Sequence, residues 1–370
     1  MNRFRSSKVG DVTEPVGTWN PVRDAKETFR YIELSAVDQE AKAITKAALV
    51  EPWDAPSRAR QLVRIDDILV STVRPNLNAV ARVTKEFDGT TASTGFCVLR
   101  PSPAKVDPLY LFHWVRTPRF IGDMMRNATG ASYPAVSDRI VKASEFPLPP
   151  LDEQRRIAVI LDKADALRQK RKRAVNLMNG LVQSIFLEMF GDPTTNPKRL
   201  PTAALGDLLR VKSGNGLTAA QMDSSGSYVV YGGNGPNGTH SGFMFVEPQI
   251  VIGRVGVYCG AVHITEPNSW VTDNALYVSE LKRPLDQTYL ASALSMANLN
   301  RLAGRAAQPL ISGGRIYPVE ILLPDAEHQV AFARATAKVA RLASELDVTP
   351  LTSLFSSLQR RLLLGEMEQV

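Results

Sequence analysis

Residues 152–190 contain no proline and a single glycine, Gly180, and no other feature constrains the fold as tightly. Ile157, Ile160, Leu161, Ala164, Leu167, Ala174, Val175, Met178, Leu181 and Ile185 recur there at close to the helical period of about 3.6 residues. About 39 residues rising ~1.5 Å each make a helix on the order of 58 Å long. Pro147, Pro149 and Pro150 end regular structure ahead of it, and Gly191 followed by Pro193 stops it. One small domain cannot bury so long an apolar stripe, so the helix calls for a second helix along its length.

The C-terminal region supplies a candidate. Val330, Ala333, Ala337, Ala340, Leu346, Leu354, Leu358 and Leu362 again follow a helical period, and Pro350 predicts a break or kink near Val348-Thr349. Each helical stretch follows a region of short strands and loops, and the two regions resemble each other. Val9-Gly10-Asp11 matches Leu205-Gly206-Asp207, and Tyr133-Pro134-Ala135-Val136-Ser137 matches Gln308-Pro309-Leu310-Ile311-Ser312. Asp138-Arg139-Ile140 corresponds to Gly314-Arg315-Ile316. Leu148-Pro149 with Glu153-Gln154 matches Leu323-Pro324 with His328-Gln329. A period of roughly 175–195 residues is a duplicated domain rather than a solenoid. The boundaries predicted are a first domain over 1–150, a long helix over 151–191, a second domain over 192–324 and a second long helix over 325–370.

The bulk numbers agree with two globular domains. The chain has 370 residues, 44% hydrophobic and 22% charged, enough for two cores and unlike a disordered composition. A net charge of +7 favours a polyanionic partner without requiring one. The two cysteines, Cys97 and Cys259, are too few for a disulfide framework and read as thiols of a cytosolic protein. The first residues carry no apolar signal segment, and no apolar run approaches the ~20 residues of a membrane span.

Several phrases are similar to type I restriction-modification specificity subunits. Residues 147–157 read Pro-Leu-Pro-Pro-Leu-Asp-Glu-Gln-Arg-Arg-Ile, and residues 183–193 read Gln-Ser-Ile-Phe-Leu-Glu-Met-Phe-Gly-Asp-Pro. With them go residues 67–75, 92–96, 231–238, 252–256 and 270–276, which resemble phrases of that family's target recognition domains. The resemblance covers essentially the whole chain. It implies an α+β fold with two mixed α/β recognition domains separated by two long antiparallel coiled-coil helices, an internal pseudo-twofold repeat. It also implies a cytoplasmic, non-catalytic subunit reading an asymmetric bipartite target in double-stranded DNA. Two methyltransferase subunits and restriction/translocase subunits would be its partners. S-adenosylmethionine, ATP and Mg would sit on those partners, with no cofactor on this chain. A stand-alone DNA-binding protein on the same scaffold is the alternative.

The residues themselves leave the contacts open. Arg168, Lys170, Arg171, Lys172 and Arg173 form a basic run in mid-helix, either a solvated face or a backbone contact across an unread spacer. Residues 231–238, rich in Gly and Asn, are a tight turn or a loop entering a groove, where Asn234 and Asn237 suit adenine. Arg254, between Gly253 and a Val-Gly pair, suits guanine or else holds a strand turn through a structural ion pair. Arg74 and Asn76 flank Pro75 in a loop after a strand. Ser132 and Tyr133, and Gln308 in the repeat, face DNA or pack a turn. Ser93, Thr94, Lys212 and Asn274 complete the DNA-facing candidates. The four histidines, His113, His240, His263 and His328, are scattered without metal-ligand spacing. Walker, nucleophile-elbow and amino-methyltransferase motifs are not found in the sequence, so neither a catalytic nor a metal site is predicted.

Overall fold

The computed structural model describes residues 4–130, 133–223, 225–256, 258–304, 309–346 and 349–364. They fall into two compact units: Met1–Lys172 with Asp347–Val370, and Arg173–Leu346.

The first unit is built on a sheet of β1 (Thr13–Glu14), β2 (Ile68–Ser71), β3 (Val80–Arg82) and β4 (Phe96–Pro101). Its order is β1-β4-β2-β3, every pair antiparallel. The β2 sequence is apolar on both sides because it separates two cores. Ile68 and Val70 join Trp114 and Phe146, while Leu69 joins Ile32, Val63 and Phe96. In a second sheet Thr91–Ser93 runs parallel to Phe29–Ile32.

The helices of this unit are α1 (Pro108–Trp114), α2 (Pro118–Arg126), α3 (Asp138–Ala143) and α4 (Leu151–Phe190). Proline leads α1 and α2, where a missing N–H costs nothing, and Asp107 and Thr117 cap them. The 40 residues of α4 measure about 60 Å at ~1.5 Å per residue; those up to Lys172 belong to the first unit.

The proline-to-helix junction has a definite job. The Gln154 side chain, 1% exposed, donates to the Pro149 carbonyl (2.8 Å) and accepts from the Asp107 N–H (2.8 Å). The Tyr110 hydroxyl donates to the Pro147 carbonyl (2.8 Å). One glutamine thus ties the start of α4 to the cap of α1 and satisfies backbone groups that proline and a helix end leave orphaned.

The second unit repeats the plan. Its sheet of β5 (Leu209–Ser213), β6 (Ile250–Gly253), β7 (Val262–Ile264) and β8 (Ala275–Leu281) has the order β5-β8-β6-β7, again antiparallel throughout. Ile250 and Ile252 face one core and Val251 the other. Trp270–Val271 runs parallel to Tyr228–Gly232, as in the first unit. Asp286 caps α5 (Gln287–Met296). Gln329 in α6 (Ala326–Glu345) donates to the Pro324 carbonyl (2.9 Å) and accepts from the Asp286 N–H (2.9 Å). The Tyr289 hydroxyl donates to the Leu322 carbonyl (2.6 Å).

The C-terminal helical region is in two pieces, one in each unit. In the second unit Phe332 of α6 packs on Phe186 and Phe190 of α4, with ring centroids 5.7 and 5.6 Å apart. The other piece, α7 (Thr349–Gln359), belongs to the first unit. Pro350 falls in its first turn, where proline is tolerated; Asp347 and Val348 lie outside the described residues. Phe355 of α7, 5% exposed, shares a core with Ile157, Ala158 and Leu161 of α4. The apolar stripe of α4 is covered only in part: Leu167 is 50% and Leu181 48% exposed, against the expectation of burial along the whole helix, and Leu177, outside the stripe, is 76% exposed. No helix among the described residues is long and apolar enough to cross a membrane.

Candidate nucleic-acid interface

In the second unit the sheet ends bring four polar segments together: the end of β5, the residue after β6, the loop before β8, and the turn between Tyr228–Gly232 and Gly235–His240. Glycine makes the meeting possible. A Cβ on Gly253 would stand 2.3 Å from the carbonyl oxygens of both Gly233 and Tyr258. Gly235 has φ +90°, which lets the turn reverse over two residues.

Arg254 lies at the centre of this cluster and is half-buried. Its N–H donates to the Asn274 carbonyl (2.9 Å), and its own carbonyl accepts from the Ile311 N–H (2.9 Å). The guanidinium donates from one nitrogen to the Ser213 hydroxyl (3.0 Å) and the Asp273 carbonyl (3.2 Å). Both acceptors are neutral, so the full positive charge stays at the sheet end, with other N–H groups left to point elsewhere.

Beside it, Asn237, Asp273 and Asn274 line a polar recess of about 600 Å³. Asn234, Asn237 and Asn274 are exposed, as is Lys212, which lies opposite Tyr277 in the sheet register. Four neighbours of Arg254 and the recess are not marked by any motif in the sequence: Ser213, Asp273, Thr218 and Gln221. The Gln221 side-chain carbonyl accepts from both the N–H (2.9 Å) and the hydroxyl (2.8 Å) of Thr218. Its amide N–H groups therefore keep the side chain's donor capacity. The nearby glycines, Gly214 and Gly216, mark a loop in the sequence but not the surface it joins.

The first unit gathers a different set. Arg74, in the left-handed region at φ +50°, is exposed and its guanidinium lies 4.6 Å from the centre of the Tyr133 ring. Tyr133 is 67% exposed, so the pair forms a flat cation–aromatic surface open to solvent. Asn76 and Thr94 are exposed in neighbouring loops. Ser93 is not available: it is 1% exposed, its carbonyl accepts from Gln61 (2.9 Å), and its hydroxyl accepts from the Gly95 N–H (3.2 Å). It closes a turn, which corrects its place among the DNA-facing residues. Ser132 and Gln308 lie outside the described residues.

The basic run on α4 is largely engaged within the protein. Asp165 bonds Arg116 (2.6 Å) and Arg168 (2.6 Å), and both guanidiniums lie over the Phe355 ring, at 5.8 and 5.0 Å. Burial works against the Asp165 carboxylate, but the two arginines outweigh it and hold its pKa below the usual range. Lys172 pairs with Glu40 (2.5 Å), and Gln169 donates to the Glu40 carbonyl (3.1 Å). Lys172 therefore carries a largely exposed carboxylate partner within the unit. Arg171 is half-buried, Arg173 is exposed, and both have interactions within the chain. Lys42 donates to the carbonyl (2.5 Å) and side-chain oxygen (3.0 Å) of Asn78; burial, with Arg116 and Arg168 nearby, pushes its pKa down to about 8. No group of three or more metal-ligating side chains occurs among the described residues.

Comparisons with known proteins agree with the motif resemblance. The type I restriction modification DNA specificity domain matches residues 61–177. The EcoprrI type I restriction enzyme specificity subunit of Escherichia coli is 25% identical over 243 residues, 60% of this chain and 58% of that protein. The chain thus matches rather more than half the length of this relative. The putative MjaX specificity subunit of Methanocaldococcus jannaschii is 22% identical over 380 aligned positions, 90% of this chain and 88% of that one. The crystal structure of a type I restriction-modification S subunit from M. genitalium shares the fold, with a TM-score of 0.57, 13% identity, and coverage of 99% of this chain and 97% of that one.

Proposed function

We propose, from the premise that the chain is a type I restriction-modification specificity subunit, that it reads a bipartite DNA target, one half-site per unit. The observation that carries this is a repeated scaffold with unlike loops. The two sheets have the same order, while their loop ends present Arg254, Asn274, Asn237 and Gln221 in one unit and Arg74, Asn76, Thr94 and Tyr133 in the other. A rigid frame with variable polar loops suits base readout, in which side chains rather than fold choose the sequence.

In this reading the subunit is non-catalytic and acts in the cytoplasm. Two methyltransferase subunits would bring S-adenosylmethionine, and restriction/translocase subunits would bring ATP and Mg. The exposed Leu177 and Leu181 on α4 suit a protein partner, because apolar side chains in water gain from being covered. Helices α4, α6 and α7 would pair antiparallel as a coiled coil and set the spacing of the half-sites, about one turn of duplex or ~34–36 Å.

Sequencing of modified adenines in host DNA, with and without this gene, tests the reading. A gapped, two-part motif should vanish with the gene. Replacing residues 1–150 by another such domain should then change one part of the motif alone. Loss of no modified motif, with the chain purifying free of any methyltransferase, would favour the stand-alone DNA-binding protein instead.

A further inference from the structure

We infer that the hollow between α2 and α3 of the first unit seats a phosphodiester of the DNA backbone beside the bases that unit reads. This rests on the DNA-binding reading above but concerns residues outside the recognition loops. The two helices bracket the segment 127–137, which carries Tyr133 and is paired to the β2 end through Val73 and Ala135. A polar hollow of about 560 Å³ lies between them, lined by Arg119, Asp123 and Arg126 from α2, Arg139 from α3, and Glu145 just beyond it.

The charges there are not all answered from within. Arg126 is paired with Asp123, and Glu145 accepts from the Ser6 hydroxyl (3.2 Å). Arg119 and Arg139 are exposed, and no acceptor for either occurs among the described residues. Ser144 also lines the hollow; the residue is 8% exposed, and its buried hydroxyl oxygen has no hydrogen-bond partner among the described residues. A buried hydroxyl without a partner costs free energy unless something supplies one. Guanidinium forks match phosphate oxygens, and a hydroxyl adds a donor of the same kind.

The hollow is open, which decides between a free anion and a polymer. A lone phosphate gains little from exposed guanidiniums in water. A duplex holds its phosphates in place and releases condensed counterions when they are neutralised. The basic run on α4 is largely committed within the protein, so this hollow is the better place for sequence-independent affinity.

The test uses the full chain, with any subunits that co-purify, and a random-sequence duplex of about 30 base pairs in a salt series. Arg119→Ala with Arg139→Ala should reduce the slope of log K against log salt by about 0.9, the value for one phosphate. Affinity at moderate salt should fall roughly tenfold, while the melting temperature and the modified motif stay unchanged. Arg119→Lys with Arg139→Lys should keep the slope. An unchanged slope in the double alanine variant, with wild type binding normally, overturns the phosphate seat and leaves the DNA reading intact. A wild-type chain that binds no duplex overturns both. A rise in melting temperature with inorganic phosphate, abolished in the alanine variant without any change in slope, would make this a free-anion site instead.

Discussion

The two units share a backbone frame but not the side chains mounted on it. In the first, the Thr72 N–H donates to the Gly95 carbonyl (2.9 Å), and the Thr72 carbonyl accepts from the Val136 N–H (2.9 Å). In the second, Arg254 makes the same two bonds, with the Asn274 carbonyl and the Ile311 N–H. Two residues further on, the Arg74 N–H donates to the Pro134 carbonyl (2.7 Å), and the Gly256 N–H donates to that of Pro309 (3.0 Å). The two arginines singled out by sequence are therefore not equivalent. Arg254 stands where the first unit has Thr72, and Arg74 stands where the second has Gly256. Duplication preserved the hydrogen bonds that hold the loops, and the side chains diverged because no backbone bond depends on them.

Removing a shared part should hurt both units alike and most severely. Gln154→Ala and Gln329→Ala each leave a buried N–H and a buried carbonyl unpaired, which costs about 2–4 kcal/mol. Urea melts of both variants should show similar losses. A large loss in one unit with none in the other would show that the matched junctions do unequal work.

A part present in one unit alone should give a one-sided effect. His113 lies three residues after Tyr110, and the matching position after Tyr289 is Ser292. His113 is fully buried with both ring nitrogens unpartnered; burial, with Arg116 adding to it, pushes its pKa down from 6.5 to about 3. Between those values the unfolded chain binds a proton that the folded unit refuses. Stability is therefore full above about pH 6.5 and falls below it, by about 1.4 kcal/mol per pH unit. Melts between pH 6.5 and 5.5 should show the first unit weakening, and His113→Phe should flatten the dependence. Wild type and variant with the same acid sensitivity would assign it to another group.

The unlike side chains should separate on DNA. Arg254→Ala should cost about 1–3 kcal/mol on the modified sequence and relax one base of one half-site. Arg74→Ala, outside the equivalent position and stacked on Tyr133, should lose less and affect the other half-site. Binding to cognate and scrambled duplexes reads both. Equal losses on the two duplexes for Arg254→Ala would make it a phosphate contact or a holder of its loop.

The smallest effect is expected from Glu40→Ala. The Lys172–Glu40 pair is largely exposed, so its loss should cost less than about 1 kcal/mol in a urea melt. Any drop in DNA affinity beyond the loss of stability would show that releasing Lys172 matters to binding.

The sequence by itself determined the helix over 151–190, the repeat and the glutamine junction. Period, proline placement and matched phrases are local or self-referential signals, and the backbone must satisfy them wherever the domain sits. It also marked Arg254 and the Asn-bearing turn, because glycine flanks betray a close backbone approach. Only the tertiary structure decided which candidates share a surface. It buried Ser93, gave Lys172 to Glu40, and drew Gln221 and Asp273 toward Arg254 and Asn237. It likewise put Arg119, Arg139 and Ser144 around one hollow. Those outcomes depend on long-range pairing of strand ends, where a side chain's neighbours come from segments far away in the chain, and no window of sequence contains both partners.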